Sequence, residues 1–175
     1  MYYMHLPCPY YVHIPVYHNK WTIPDESGQT TRSNGTSNRK DYGSRPFVID
    51  INQATKQNNK YRTALWTGTR LQVTLMSLNV GEDIGLEMHL NVDQFLRVEQ
   101  GQGFVQMGKN KHQLNFTRNV SDDTAIMIPA GMWHNLTNTG RVPLKLYSIY
   151  APPNHPFGTV HVTKADALAA ERQMI

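Results

Sequence analysis

The chain has 175 residues and a formal net charge of +4, with 17 Lys and Arg against 13 Asp and Glu. That length fits one domain plus a tail, and the mild charge, with no basic run longer than Arg39-Lys40, argues against a nucleic-acid partner. A single cysteine, Cys8, excludes an internal disulfide, and no stretch approaches the ~18 apolar residues of a membrane span.

The N-terminus carries no positive n-region and no continuous apolar core, so it does not read as a secretory signal and a cytoplasmic protein is expected. The sequons at Asn34, Asn115, Asn119 and Asn135 then read as chance matches in an Asn- and Thr-rich chain. Residues 1–20 crowd Tyr2, Tyr3, Tyr10, Tyr11 and Tyr17 among His5, His13, His18 and three prolines. Proline interrupts any helix there and the pattern is too irregular for an amphipathic strand, so the segment is expected to be extended and disordered. Its composition resembles Tyr- and Pro-rich segments on coat proteins of spore-forming bacteria. Asp25 to Ser44 is polar with one aromatic, Tyr42, and reads as a flexible linker. The division expected is therefore a tail and linker over 1–45 and a folded domain over 46–175, with order resuming near Pro46-Phe47-Val48-Ile49.

Asp50 to Asn58 predicts a short helix, capped by Asp50 with Gln53 as the return partner. Tyr61 to Thr67 and Leu71 to Leu78 predict two strands around a Gly68-Thr69 turn. Phe95 to Val98, Phe104 to Met107, Leu114 to Val120, Ile126 to Ile128 and Leu144 to Tyr150 continue the series. Short strands at short spacing with turn residues between them argue an all-β sandwich or barrel. Pro152, Pro153 and Pro156 stop the sheet, and His155 and His161 in that segment read as surface residues. Thr163 with Asp166 opens a C-terminal helix over 164–173. There are no internal repeats.

Two pieces carry the chemistry, Gly85 to Gly103 and Asp123 to Asn138. On a β-strand Glu87 and His89, two apart, point to one face. Gln94 follows, and Gly101 and Gly103 give the permissive backbone of a turn. In the second piece Pro129 and Gly131 make a tight turn and His134 stands just past it. If the strands face each other, Glu87, His89, Gln94 and His134 converge. Two imidazoles and a carboxylate suit a divalent transition metal, and Gln94 adds a neutral oxygen. Gln94 is either a direct ligand or a donor beside the metal, and Asp93 takes its place if the loop shifts by one residue. Met76, Phe95, Trp133 and Tyr147 are the candidate cavity lining. Arg97 reads as a solvated face residue.

These pieces resemble the two motifs of the cupin superfamily, G-x5-H-x-H-x3-4-E-x6-G and G-x5-P-x-G-x2-H-x3-N. Pro129, Gly131, His134 and Asn138 match the second, with Asp123 where glycine is usual. In the first, Gln94 stands at the glutamate position, His89 at the second histidine and Glu87 at the first. The carboxylate and one histidine have changed places. The resemblance covers about Arg62 to Pro152. It implies a double-stranded β-helix, the RmlC-like jelly-roll barrel, with a short helix before it, a C-terminal helix after it, and a homodimer paired through an outer sheet. It further implies one divalent transition metal per subunit, zinc, manganese, iron or nickel not being distinguished. Chains of this kind are similar to the mannose-6-phosphate isomerase-like cupins. The reading places a metal-dependent protein acting on a small molecule first, an isomerase ahead of an iron-dependent dioxygenase. A ligand-binding cupin without turnover, or an assembly protein working through its tail, are the alternatives.

Overall fold

The computed structural model describes residues 41–172. The Tyr-rich tail and most of the polar linker lie outside the described residues. The elements run α1 (Ile51–Gln57), β1 (Arg62–Thr67), β2 (Gln72–Leu78), β3 (Asp93–Gln100), β4 (Gln102–Gly108), β5 (Phe116–Ser121), β6 (Ala125–Ile128), β7 (Trp133–Asn138), β8 (Leu144–Ala151), β9 (Val160–His161) and α2 (Lys164–Arg172). Both helices and the expected strands stand where the sequence placed them, within one or two residues at each end, but the sheet does not stop at the prolines: β9 adds a further strand beside β1, with His161 partly buried.

The caps explain the helix starts. Asp50 accepts a hydrogen bond from the Gln53 backbone N–H at 2.9 Å, satisfying a first-turn donor. At α2 the box is reciprocal: the Asp166 N–H donates to Thr163 Oγ1 at 3.2 Å and the Thr163 N–H donates to Asp166 Oδ2 at 2.8 Å.

A six-stranded sheet has the order β6-β3-β8-β2-β1-β9, and a three-stranded sheet the order β5-β4-β7. Every pairing is antiparallel. Strand alternation sorts the side chains. On β3, Gln94, Leu96 and Val98 are buried while Phe95 and Arg97 are only partly covered. Leu96 and Val98 join Met76, Leu78, Leu136, Leu144 and Leu146 in the main core, between the two sheets. The opposite face of the large sheet is covered in part by α1, where Ala54 packs with Leu65 and Leu75, and Val73 and Tyr147 close the cluster.

Order begins before Pro46. Asp41 is buried, and its carboxylate accepts from the N–H groups of Gly43 (3.0 Å), Thr67 (3.0 Å) and Gly158 (2.9 Å) and from Thr67 Oγ1 (2.6 Å). Four donors around one carboxylate fasten the polar segment to the end of β1 and to the proline-rich return after β8. Composition could not show this, because the partners lie up to 117 residues away. Asp123, at the position where the motif favours glycine, has φ 65°, the left-handed region that Asp tolerates better than most residues.

Candidate metal centre

Glu87 and His89 are not on a regular strand, contrary to the expectation. Glu87 forms an isolated bridge with His134: its N–H donates to the His134 carbonyl at 3.1 Å, and the His134 N–H donates back at 2.9 Å. His89 lies in the loop that follows. Its carbonyl accepts from the Gly131 N–H at 2.8 Å, and Gly131 has φ 76°. The Pro129–Gly131 turn therefore positions His89 by its backbone and delivers His134 two residues beyond Met132.

The side chains converge. Glu87 Oε1 lies 3.4 Å from His89 Nε2 and 3.3 Å from His134 Nε2. One ligand atom from each of the three falls within 4.8 Å of the others. The imidazole centroids are 5.5 Å apart, with the rings tilted by 59°. His134 Nδ1 is 2.9 Å from the Met132 carbonyl, an acceptor only, so Nδ1 carries the proton and Nε2 presents its lone pair. Burial works against charge on Glu87, but its contacts with His134 and His89, and the charge of Arg62, hold the carboxyl well below the usual carboxylate range.

A cation fits this arrangement on grounds internal to the fold. Glu87 Oε1, His89 Nε2 and His134 Nε2 are all buried without a hydrogen-bond partner among the described residues. Three buried ligand atoms aimed at one another are what a divalent ion between them would satisfy together. Gln94 is buried too. Its Nε2 donates to Ser148 Oγ at 3.1 Å, which leaves Oε1 as the free end, buried and without a partner.

The expected lining divides. Met76 faces the interior, in the core layer next to Leu146. Phe95 and Tyr147 face the other way: Phe95 alternates with Gln94, Tyr147 packs over the α1 cluster, and their rings are 6.1 Å apart. Trp133 precedes the buried His134 on β7 and so projects to the opposite face of the small sheet. None of these three lines the interior beside the trio. Arg97 is half-exposed and pairs with Glu99 at 2.9 Å and with Asp123, all on the outer side. Those two carboxylates belong to a second acidic group with Asp122, already served by the guanidinium.

What the sequence reading missed is the rest of the polar interior. Tyr150 is fully buried, with its ring 5.8 Å from His89. His155, expected at the surface, stands edge-on to Tyr150 at 5.0 Å. Its pKa is pushed down to about 3, first by burial and then by the charge of Arg62, so the ring is neutral at pH 7. Gln72 holds that loop: its Nε2 donates to the His155 carbonyl at 2.9 Å and its Oε1 accepts from the His155 N–H at 3.0 Å. Arg62, 1% exposed, completes the set from β1. Its signal in the sequence was a lone charge opening an otherwise uncharged strand.

An apolar cleft of about 500 Å³ opens elsewhere, lined by Met107, Phe116, Met127, Pro129 and Met132 among others, and none of the trio lines it. No helix among the described residues is long and apolar enough to cross a membrane.

The cupin-domain family profile matches residues 74–150. The chain is 64% identical over 176 residues to the uncharacterized protein YrkC of Bacillus subtilis (strain 168), covering 94% of this chain and 95% of that protein. It is 38% identical over 120 residues to the uncharacterized protein L612 of Acanthamoeba polyphaga mimivirus, covering 67% of this chain and 72% of that one. Among solved structures, BH2720 from Bacillus halodurans is 65% identical, with a TM-score of 0.74, covering 74% of this chain and 98% of its own. With a barrel of two antiparallel sheets and the profile match over residues 74–150, the chain is a cupin-domain protein.

Proposed function

We propose that this cupin holds one divalent transition metal through Glu87, His89 and His134, and uses it to bind and act on a small oxygen-bearing molecule inside the barrel. The observation that carries this reading is the convergence of three buried, unpartnered ligand atoms from residues forty-seven positions apart in the chain. Three protein ligands leave coordination positions open for a ligand, and a bound cation supplies Lewis-acid polarisation of an oxygen placed there.

The residues around the trio would do the remaining work. Gln94 is fixed by Ser148 so that its carbonyl oxygen is free to complete the metal shell or to accept from the ligand. Neutral His155, its pKa pushed down to about 3, serves as a hydrogen-bond acceptor and not as a base, and burial raises the pKa of Tyr150, keeping that hydroxyl protonated as a donor. An acceptor and a donor near the trio suit the binding and orientation of an oxygenated ligand. Binding without turnover is the second reading, favoured by the neutral amide of Gln94, which leaves the trio a single carboxylate. A homodimer paired through the outer face of the large sheet belongs to the same reading, since Met127 is exposed there beside Phe95 and Ile149.

Chelation tests it. A cation present at a hundred times its dissociation constant stabilises the fold by about 2.7 kcal/mol. A strong chelator should lower the melting temperature, and add-back of one cation should restore it. His89→Ala should respond to neither. A wild type indifferent to both treatments would remove the metal from the account.

A further inference from the structure

Arg62 is the largest fully buried side chain among the described residues, and the trio does not account for it. Its β1 position pairs with Met76, so it faces the barrel interior. Its Nε and Nη1 are buried without a hydrogen-bond partner. The Glu171 carboxylate, half-exposed on α2, stays 3.9 Å from Nη1, beyond hydrogen-bond reach. The Tyr61 ring lies 5.6 Å from the guanidinium carbon. None of these satisfies a buried guanidinium, whose N–H groups can only donate.

The same face carries more unpartnered groups. Thr74 Oγ1, Tyr150 Oη and His155 Nε2 are buried without a well-formed hydrogen bond among the described residues, and the Tyr150 hydroxyl lies beside those of Ser148 and Thr74. Thr74 pairs with Ser148, and Tyr150 pairs with both Gln72 and Gln94, so these positions lie side by side across β2, β8 and β3. From Arg62, Thr74 and Tyr150 come groups able to donate, where the metal side offers Glu87 Oε1 and Gln94 Oε1 as acceptors. Charge points the same way. Glu87 and the half-exposed Glu171 bring two negative charges and Arg62 one positive. A divalent cation adds two positive charges, and an anionic ligand restores the balance.

We propose that Arg62, with Tyr150 and Thr74, forms an anion subsite facing the metal centre, so that the ligand carries a carboxylate or phosphate group. The inference rests on the metal-binding reading and adds the chemical class of the ligand. The anionic group docks on Arg62 while another oxygen of the same molecule meets the metal.

The test uses the full-length protein, with metal content measured on every sample before titration. Wild type, Arg62→Met and Tyr150→Phe are titrated calorimetrically with malonate, with inorganic phosphate and with neutral malonamide. Wild type should bind at least one of the two anions and bind malonamide at least tenfold more weakly. Preference for malonate or for phosphate identifies the carboxylate or the phosphate source. Arg62→Met should weaken anion binding by about ten- to a hundredfold, the range for a hydrogen bond to a charged group, with metal content unchanged. Tyr150→Phe, a smaller change that keeps the ring, should weaken it severalfold and serves if Arg62→Met does not fold. Anion binding that depends on Arg62 in a protein without metal would sink the metal reading while upholding the subsite. Wild type binding neither anion, which would mean that water fills the layer, overturns the proposal. So does equal binding of malonamide, or unchanged anion binding in both variants.

Discussion

Asp41 is a carboxylate whose removal should be felt at a distance. Its Oδ1 accepts from the N–H groups of Gly43 and Thr67, both at 3.0 Å. Its Oδ2 accepts from Thr67 Oγ1 at 2.6 Å and from the Gly158 N–H at 2.9 Å. Asp41→Ala leaves three backbone donors without their acceptor, while the Thr67 hydroxyl, which already accepts from Gln72 Nε2 at 2.9 Å, can turn its proton to water. Hydrogen bonds to a charged group are worth about 1.5–3 kcal/mol each, and bonds sharing one acceptor do not add fully, so the loss should be about 3–4 kcal/mol. Asp41→Asn keeps the shape but turns one oxygen into a donor, so at least one N–H faces an NH2 group; about 1–2 kcal/mol should go. Burial pushes the Asp41 carboxyl up, but the bonds from Thr67, Gly158 and Gly43 outweigh it and hold the pKa below the ordinary value. A depressed carboxyl stabilises the fold at pH above its unfolded value and loses that contribution as pH falls through the folded value. Urea unfolding followed by far-ultraviolet circular dichroism should thus show the gap between wild type and Asp41→Ala wide at pH 7 and narrowing below about pH 4. A gap at pH 7 within about 0.5 kcal/mol would refute the reasoning, because a surface substitution does no more than that.

Other expectations concern the elements that aim the site. Tyr61 Oη donates to the carbonyls of Ile84 at 3.0 Å and Asp83 at 3.2 Å, on the approach to Glu87. Tyr61→Phe should cost about 1 kcal/mol in urea unfolding and make metal loss to a chelator faster. Gln72→Leu removes its side-chain bonds to the backbone of Asn154 and His155, so the amides of those two residues should exchange with deuterium faster while the β3 core stays protected. Gln94→Glu restores a carboxylate at the usual motif position. It should slow metal loss to a chelator about tenfold if that side chain reaches the metal, and unchanged loss would show that it does not.

The barrel was legible because its strands are short, punctuated by turn residues, and bracketed by two motifs whose spacing is backbone geometry. Pro129, Gly131 and His134 could be read as a turn feeding a strand, and the fold builds them so. The convergence of Glu87 and His89 with His134 was anticipated for a partly mistaken reason. The two residues meet His134 through a single bridge and a loop pinned by Gly131, and periodicity does not apply to them. Phe95 and Trp133, expected in the lining, stand next to Gln94 and His134 in the chain. Strand alternation argues the reverse: a neighbour in sequence sits on the other face. Tyr147 needed the register of β8 as well. Arg62, Tyr150 and His155 were not legible as site residues, because only the sheet order β3-β8-β2-β1 and the return of the proline-rich segment through Gln72 bring them together.

The central claim is a metal held by Glu87, His89 and His134. Metal content of the purified, untagged protein by mass spectrometry, for wild type, Glu87→Ala and His134→Ala, tests it most directly. About one transition metal per chain is expected in wild type, lost in both variants while their circular dichroism stays that of the folded barrel. A wild type that holds no metal even after incubation with added zinc, manganese, iron and nickel, or variants that keep it, would contradict the account.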